Sequence, residues 1–167
     1  MTKIKTIYID MDGVIASFVE RFEELSPLTI AELNKLPKEE KEAAKMEAIE
    51  AGLFATMPLM PDAAELYEGL LKLEHEKGIT LKILTAVGSN NSEMVAEEKE
   101  EWVRRLFCRE IEFCHVVKSH SKADYATEET ILIDDRTKST EPFLAAGGKV
   151  VLHTSAKTTL EAISKMI

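Results

Sequence analysis

Short β-branched runs, each one strand long and each followed by a helical stretch, constrain this chain more than any other feature. Residues 4–9 (Ile-Lys-Thr-Ile-Tyr-Ile), 79–84 (Ile-Thr-Leu-Lys-Ile-Leu), 111–117, 130–133 (Thr-Ile-Leu-Ile) and 149–152 (Lys-Val-Val-Leu) carry the residues that strands favour. Between them the apolar spacing turns helical. Asp62 reads as the N-cap of a helix to Lys77, with Ala63, Leu66, Leu70 and Leu73 apolar and Gly78 as its stop. Ser92 reads as the cap of a helix to Phe107, with Val95, Trp102, Val103 and Leu106 inward. Further helices are expected at 122–126, 139–146 and 158–166. Strand–helix alternation of this kind implies an α/β fold: a Rossmann-like parallel sheet of five strands with helices on both faces.

Residues 16–60 break the alternation. Val14, Phe18, Phe22 and Leu25 fall at helical spacing after a turn at Asp12-Gly13. Thr29 and Glu32 form a capping-box pattern, and Pro37 opens a charged helix to Glu50 that Gly52 ends. The run Lys38-Glu39-Glu40-Lys41-Glu42 reads as a solvated helix face. The expected organisation is a core of residues 1–15 and 61–167, with 16–60 inserted as a small helical cap.

The formal net charge of −9 argues against polymeric DNA or RNA as a partner. An acidic protein can still bind a phosphate through a metal ion and a few placed lysines. Cys108 and Cys114 show neither a CxxC pair nor a zinc spacing. With no signal-like leader and no run of membrane-spanning length, the expectation is a cytoplasmic protein without membrane contact. The oligomeric state is left open.

Ligands of open α/β sheets bind beyond the carboxyl ends of the strands. Here the first strand ends Asp10-Met11-Asp12-Gly13, the second ends at Thr85 and the fourth ends Asp134-Asp135-Arg136. Four carboxylates brought together would repel, and a divalent cation resolves the conflict. An all-oxygen set completed by substrate phosphate suits magnesium.

Asp-Met-Asp-Gly-Val after a strand, a strand-ending threonine, a later lysine and Leu-Ile-Asp-Asp-Arg together resemble the haloacid dehalogenase superfamily. Within it, Asp-Met-Asp-Gly-Val-Ile-Ala-Ser-Phe and Glu98-Lys99-Glu100-Glu101-Trp102-Val103 look like motifs of the 5'(3')-deoxyribonucleotidase-like phosphatases. Ser17 stands where that group has an aspartate, and Thr85-Ala86-Val87 replaces a Thr-Ser-Pro-like stretch.

The resemblance implies a magnesium-dependent phosphoric monoester hydrolase. Asp10 would be the nucleophile, forming an aspartyl-phosphate, and Asp12 the general acid and base. Asp10, the Asp12 carbonyl and Asp134 would hold magnesium, with Asp135 behind them. Thr85, Ala86, Lys99 and Lys122 would meet the phosphoryl group, Lys118 being the rival of Lys122. Phe18 would line the substrate pocket, though its place on an apolar helix face fits core packing equally. The expected substrate is a small phosphorylated metabolite, in the first instance a nucleoside monophosphate. Alternatives are a sugar or other organic phosphate, a phosphotransferase, or a binding protein that keeps the fold without turnover.

Overall fold

The computed structural model describes residues 2–167. Five strands, β1 (Thr6–Ile9), β2 (Thr80–Ala86), β3 (Glu112–Val116), β4 (Thr130–Asp134) and β5 (Lys149–Leu152), form one sheet in the order β3-β2-β1-β4-β5. Every neighbouring pair is parallel. Seven helices accompany them: α1 (Phe18–Leu25), α2 (Ile30–Lys35), α3 (Lys38–Glu50), α4 (Ala63–Lys77), α5 (Ser92–Phe107), α6 (Thr137–Ala145) and α7 (Ala156–Ser164). A 3₁₀ helix spans Ser119–Tyr125.

The sheet is buried on both faces, as a parallel sheet requires. Ile7, Ile9, Ile83, Ile131 and Ile133 pack with residues of α4, α5 and α7 on one side. Tyr8, Leu84 and Leu132 face the other side and pack on Phe143 of α6. The alternation is the period of two of extended backbone. On the first side α4 and α7 approach closely at Gly69. A Cβ there would lie 2.5 Å from Leu160 Cδ1, so no larger residue fits without a shift.

Four expectations about local structure are corrected. Val14 is not on α1: the backbone N–H groups of Val14, Ile15 and Ala16 all donate to the Met11 carbonyl, and α1 starts four residues later. Leu106 is exposed, and Phe107 turns inward instead, edge-on to Tyr67 with ring centroids 4.3 Å apart. Asp62 makes no cap bond to α4. Its Oδ2 accepts from the Ala156 N–H at 2.7 Å, so it closes the start of α7, 94 residues on. Ser155 caps the same helix by accepting from the Thr158 N–H, which explains why α7 begins before Thr158.

Residues 16–60 hold α1, α2 and α3. The Thr29–Glu32 capping box is formed in full. The chain enters and leaves this insertion side by side: Ser17 N–H donates to the Pro58 carbonyl and Met60 N–H to the Ile15 carbonyl, both at 2.8 Å. Trp102 of α5 is fully buried and donates from Nε1 to the Met57 carbonyl, anchoring the exit. Among the described residues no helix is long and apolar enough to cross a membrane.

Candidate active site

Strand order places the site. β1 lies between β2 and β4, with Ile9 level with Ile83 and Ile133. The residue after each is therefore at the same carboxyl edge, where Asp10 and Asp134 meet. Asp10 N–H continues the ladder by donating to the Ile133 carbonyl at 3.0 Å.

Lys122 enters between these two carboxylates from the 3₁₀ helix. Its ammonium is 2.8 Å from Asp10 Oδ1 and 2.6 Å from Asp134 Oδ2, and the residue is 2% exposed. Burial works against this ammonium, but Asp10 and Asp134 outweigh it and hold its pKa above the ordinary lysine value. Burial pushes the Asp10 carboxyl up, with Lys122 pulling it back and Asp134 adding repulsion. Asp134 Oδ1 accepts from the Arg136 N–H at 3.0 Å, which fixes the turn into α6.

Oxygen atoms of Asp10, Asp134 and Asp135 lie within 4.8 Å of one another. Asp135 is at the exposed edge of this group. Burial, then the charges of Asp10 and Asp134, push its carboxyl up to about 7. Three oxygen donors this close, with one of them driven towards its neutral form, fit a hard divalent cation, which would restore the carboxylate. Gly13 makes room for Asp135. Its φ is +82°, and a Cβ there would lie 2.1 Å from Asp135 Oδ2.

Asp12 goes elsewhere. Its Oδ2 accepts from Lys99 at 2.9 Å, while its Oδ1 is buried with no hydrogen-bond partner. The side chain is therefore outside the three-carboxylate group, and only its carbonyl remains for a cation. Lys99 is fully buried and also donates to Thr85 Oγ1 at 3.0 Å and to the Ala86 carbonyl at 2.9 Å. An ammonium has three N–H donors. All three are taken, so the expected contact from Lys99 to a phosphoryl oxygen is not available in this arrangement. Its ammonium also rests 4.6 Å from the centre of the Phe54 ring. The Val87 and Gly88 N–H groups donate to the carbonyls of Val116 and Val117, while the Thr85 hydroxyl, accepting from Lys99, keeps its own hydrogen to donate.

A cavity of about 800 Å³ opens above Asp12, Gly13, Ala86 and Asp135. Phe18 lines it, but it also stacks on Phe22 and Phe54 at 6.0 Å each. It is wall and core together. Lys118 is exposed and lines the cavity, whereas Lys122 is buried against Asp10 and Asp134 and does not line it. Phe54, Lys45 and Lys138 also line the cavity and were not anticipated. Phe54 follows the end of α3 in no periodic pattern, and the lysines of a charged helix look like solvent-facing residues in any sequence.

No protein-family model matches the chain, and no curated protein matches it in sequence. Solved structures do match in shape. A candidate beta-phosphoglucomutase from Thermotoga maritima aligns with TM-score 0.57 at 14% identity, covering 98% of this chain and 100% of that one. A hydrolase from Streptococcus pneumoniae TIGR4 aligns with TM-score 0.56 at 15% identity, with the same coverage. An HAD family enzyme from Bacteroides thetaiotaomicron, solved with magnesium and inorganic phosphate, aligns with TM-score 0.54 at 15% identity over 91% of this chain and 95% of that one. At such identities the likeness is one of architecture, and the architecture of this chain is the α/β fold of the haloacid dehalogenase enzymes.

Proposed function

We propose that the chain is a magnesium-dependent phosphomonoesterase of the haloacid dehalogenase type, acting on a small phosphorylated metabolite. The observation that carries this reading is the Asp10–Lys122–Asp134 cluster at the carboxyl edge of the sheet, with Asp12 beside it and one of its oxygens unpaired. A lone structural ion pair would not need three adjoining carboxylates at one strand edge.

Asp10, Asp134 and the Asp12 carbonyl would hold the magnesium, with Asp135 against it. When bound, the ion supplies positive charge to the phosphoryl oxygens. The Asp10 carboxylate attacks phosphorus, and the bond from phosphorus to the ester oxygen breaks. Protonated Asp12 gives its proton to the departing alkoxide. It then takes a proton from the water that attacks the aspartyl-phosphate, releasing inorganic phosphate and restoring Asp10. Lys122 offsets the charge of Asp10 and of the transferring group. The Thr85 hydroxyl donates to a phosphoryl oxygen. Lys99 holds Asp12 and Thr85 in place rather than touching the phosphate.

Residues 16–60 serve as the cap and choose the substrate. Their contribution to the cavity is largely apolar, through Phe18, Leu33, Met46, Ile49 and Phe54. This favours a nucleobase or another flat apolar body over a bare polyol, and supports the nucleotidase reading. The two thiols are free, which suits a cytoplasmic setting. The test is phosphate release, with and without magnesium, from deoxynucleotides, ribonucleotides, 3'-nucleotides and sugar phosphates. Preference for nucleotides is expected. Preference for sugar phosphates would keep the chemistry and overturn the nucleotide assignment. No release from folded, magnesium-loaded protein would overturn both.

A further inference from the structure

The cavity is far larger than a phosphoryl group needs. At about 800 Å³ it can enclose a whole small molecule. Its mouth is cationic. Lys41 and Lys45 reach it from α3, Arg136 and Lys138 from the start of α6, and Lys118 from the segment before the 3₁₀ helix. Apart from Asp12 and Asp135, Glu42 is the one acid in the lining. Among the described residues none of these five cations forms an ion pair. Lys41 is bonded only to the neutral Asn34, at 2.9 Å.

The cations face one another across the mouth. Burial first, then repulsion from Lys41 and Arg136, lowers the pKa of Lys45, with Glu42 opposing and Lys138 adding to the repulsion. Like charges held together cost free energy, and an anion placed between them removes that cost. The phosphoryl group under attack cannot be this anion. It must reach Asp10, which is 6% exposed and already paired with its own cation, Lys122. The rim cations are surplus to the transferred group.

We propose that the substrate carries a second anionic group, which Lys45, Arg136 and Lys138 hold at the rim while its apolar body lies against Met46, Ile49 and Phe54. This rests on the phosphatase reading only for the first phosphate. It narrows the substrate to a phosphomonoester with a second phosphate or a carboxylate, such as a nucleoside bisphosphate or a phosphorylated aromatic acid. A neutral-bodied monophosphate leaves the rim unmet.

Calorimetric titration of the magnesium-loaded protein with three non-hydrolysable probes tests it. Phenylphosphonate, para-phenylenebisphosphonate and para-carboxyphenylphosphonate share one ring and differ in the second anion. At least one doubly anionic probe should bind about tenfold tighter than phenylphosphonate, or better. Which of the two wins identifies the second anion as phosphate-like or carboxylate. In Lys45→Met and in Lys138→Met, each checked for a cooperative melt, that ratio should fall to within about threefold. Equal affinity for all three probes, no binding of any, or an advantage that persists in both variants overturns the proposal. Turnover of para-nitrophenyl phosphate tests the phosphatase chemistry separately, so the two readings fail by different measurements.

Discussion

Lys122 stands between two buried carboxylates, and its loss has two consequences. Lys122→Met leaves Asp10 and Asp134 facing each other without their shared cation. Breaking a buried pair in this way costs about 3–5 kcal/mol, so the magnesium-free variant should melt well below the wild type. Activity should also fall far more in Lys122→Ala than in Lys118→Ala, because Lys118 is exposed at the rim; the reverse ranking would exchange their roles. Lys99 predicts a different pattern. Lys99→Met removes the partner of Asp12, so kcat should drop by about a hundredfold or more while KM moves little. A change confined to KM would return Lys99 to phosphate binding. Asp135 brings a pH dependence. Its folded carboxyl titrates at about 7 against an ordinary 3.8. The folded state therefore binds this proton more tightly than the unfolded one, and the associated stability is lost as pH rises from about 4 to 7. Denaturant melts of metal-free protein should show this loss, and Asp135→Asn should reduce it. Magnesium should stabilise the wild type more at neutral pH than at acid pH, because the ion takes the place of the proton.

At the scale of elements, β1 and β4 were the most legible strands because their apolar runs stop at aspartates. Asp10 and Asp134 end β1 and β4, and the strand order alone brings them together. Helix boundaries were legible to within two residues where a local cap sets them, as at Thr29 and Gly78. Asp62 shows where that logic stops. An aspartate before a helical run signals a cap, but its backbone is at φ −106°, ψ 11°, not the extended geometry of a capping residue. Its carboxylate serves α7 instead, a pairing made by the fold and invisible to local sequence. Asp62→Ala should therefore cost about 1 kcal/mol through the start of α7, lowering the melting temperature by about 2–4 °C. Faster amide exchange at Ala156, with α4 unaffected, would locate the loss; loss of protection in α4 would contradict it. The same limit hid the partners of Lys99, a residue that only the family resemblance singled out. It lies within Glu97-Glu98-Lys99-Glu100-Glu101, which reads as solvent-facing until α5 is laid against Asp12 and Thr85.

Over the whole molecule, the charge is arranged against its own sum. A chain of net charge −9 keeps unpaired cations around one cavity and buries Lys122 between Asp10 and Asp134. The paired stretches Ile15–Ser17 and Pro58–Met60 bring the two ends of the helical segment together, and Trp102 and Arg105 of α5 bond to its Met57 and Ala55 carbonyls. The α/β class, the order of elements and the acidic strand ends were readable from residue pattern. The cavity was not, because its walls come from segments scattered from Asp12 to Lys138, and lysines facing an enclosed space look the same as lysines facing water. The central claim remains the role of Asp10. Its most direct test compares magnesium-dependent phosphate release by the wild-type protein and by Asp10→Asn, with both shown to be folded. Release by the wild type that stops on chelation, and a variant slower by on the order of 10⁴ or more, is the predicted result. A folded Asp10→Asn variant that still turns over at a comparable rate would contradict it.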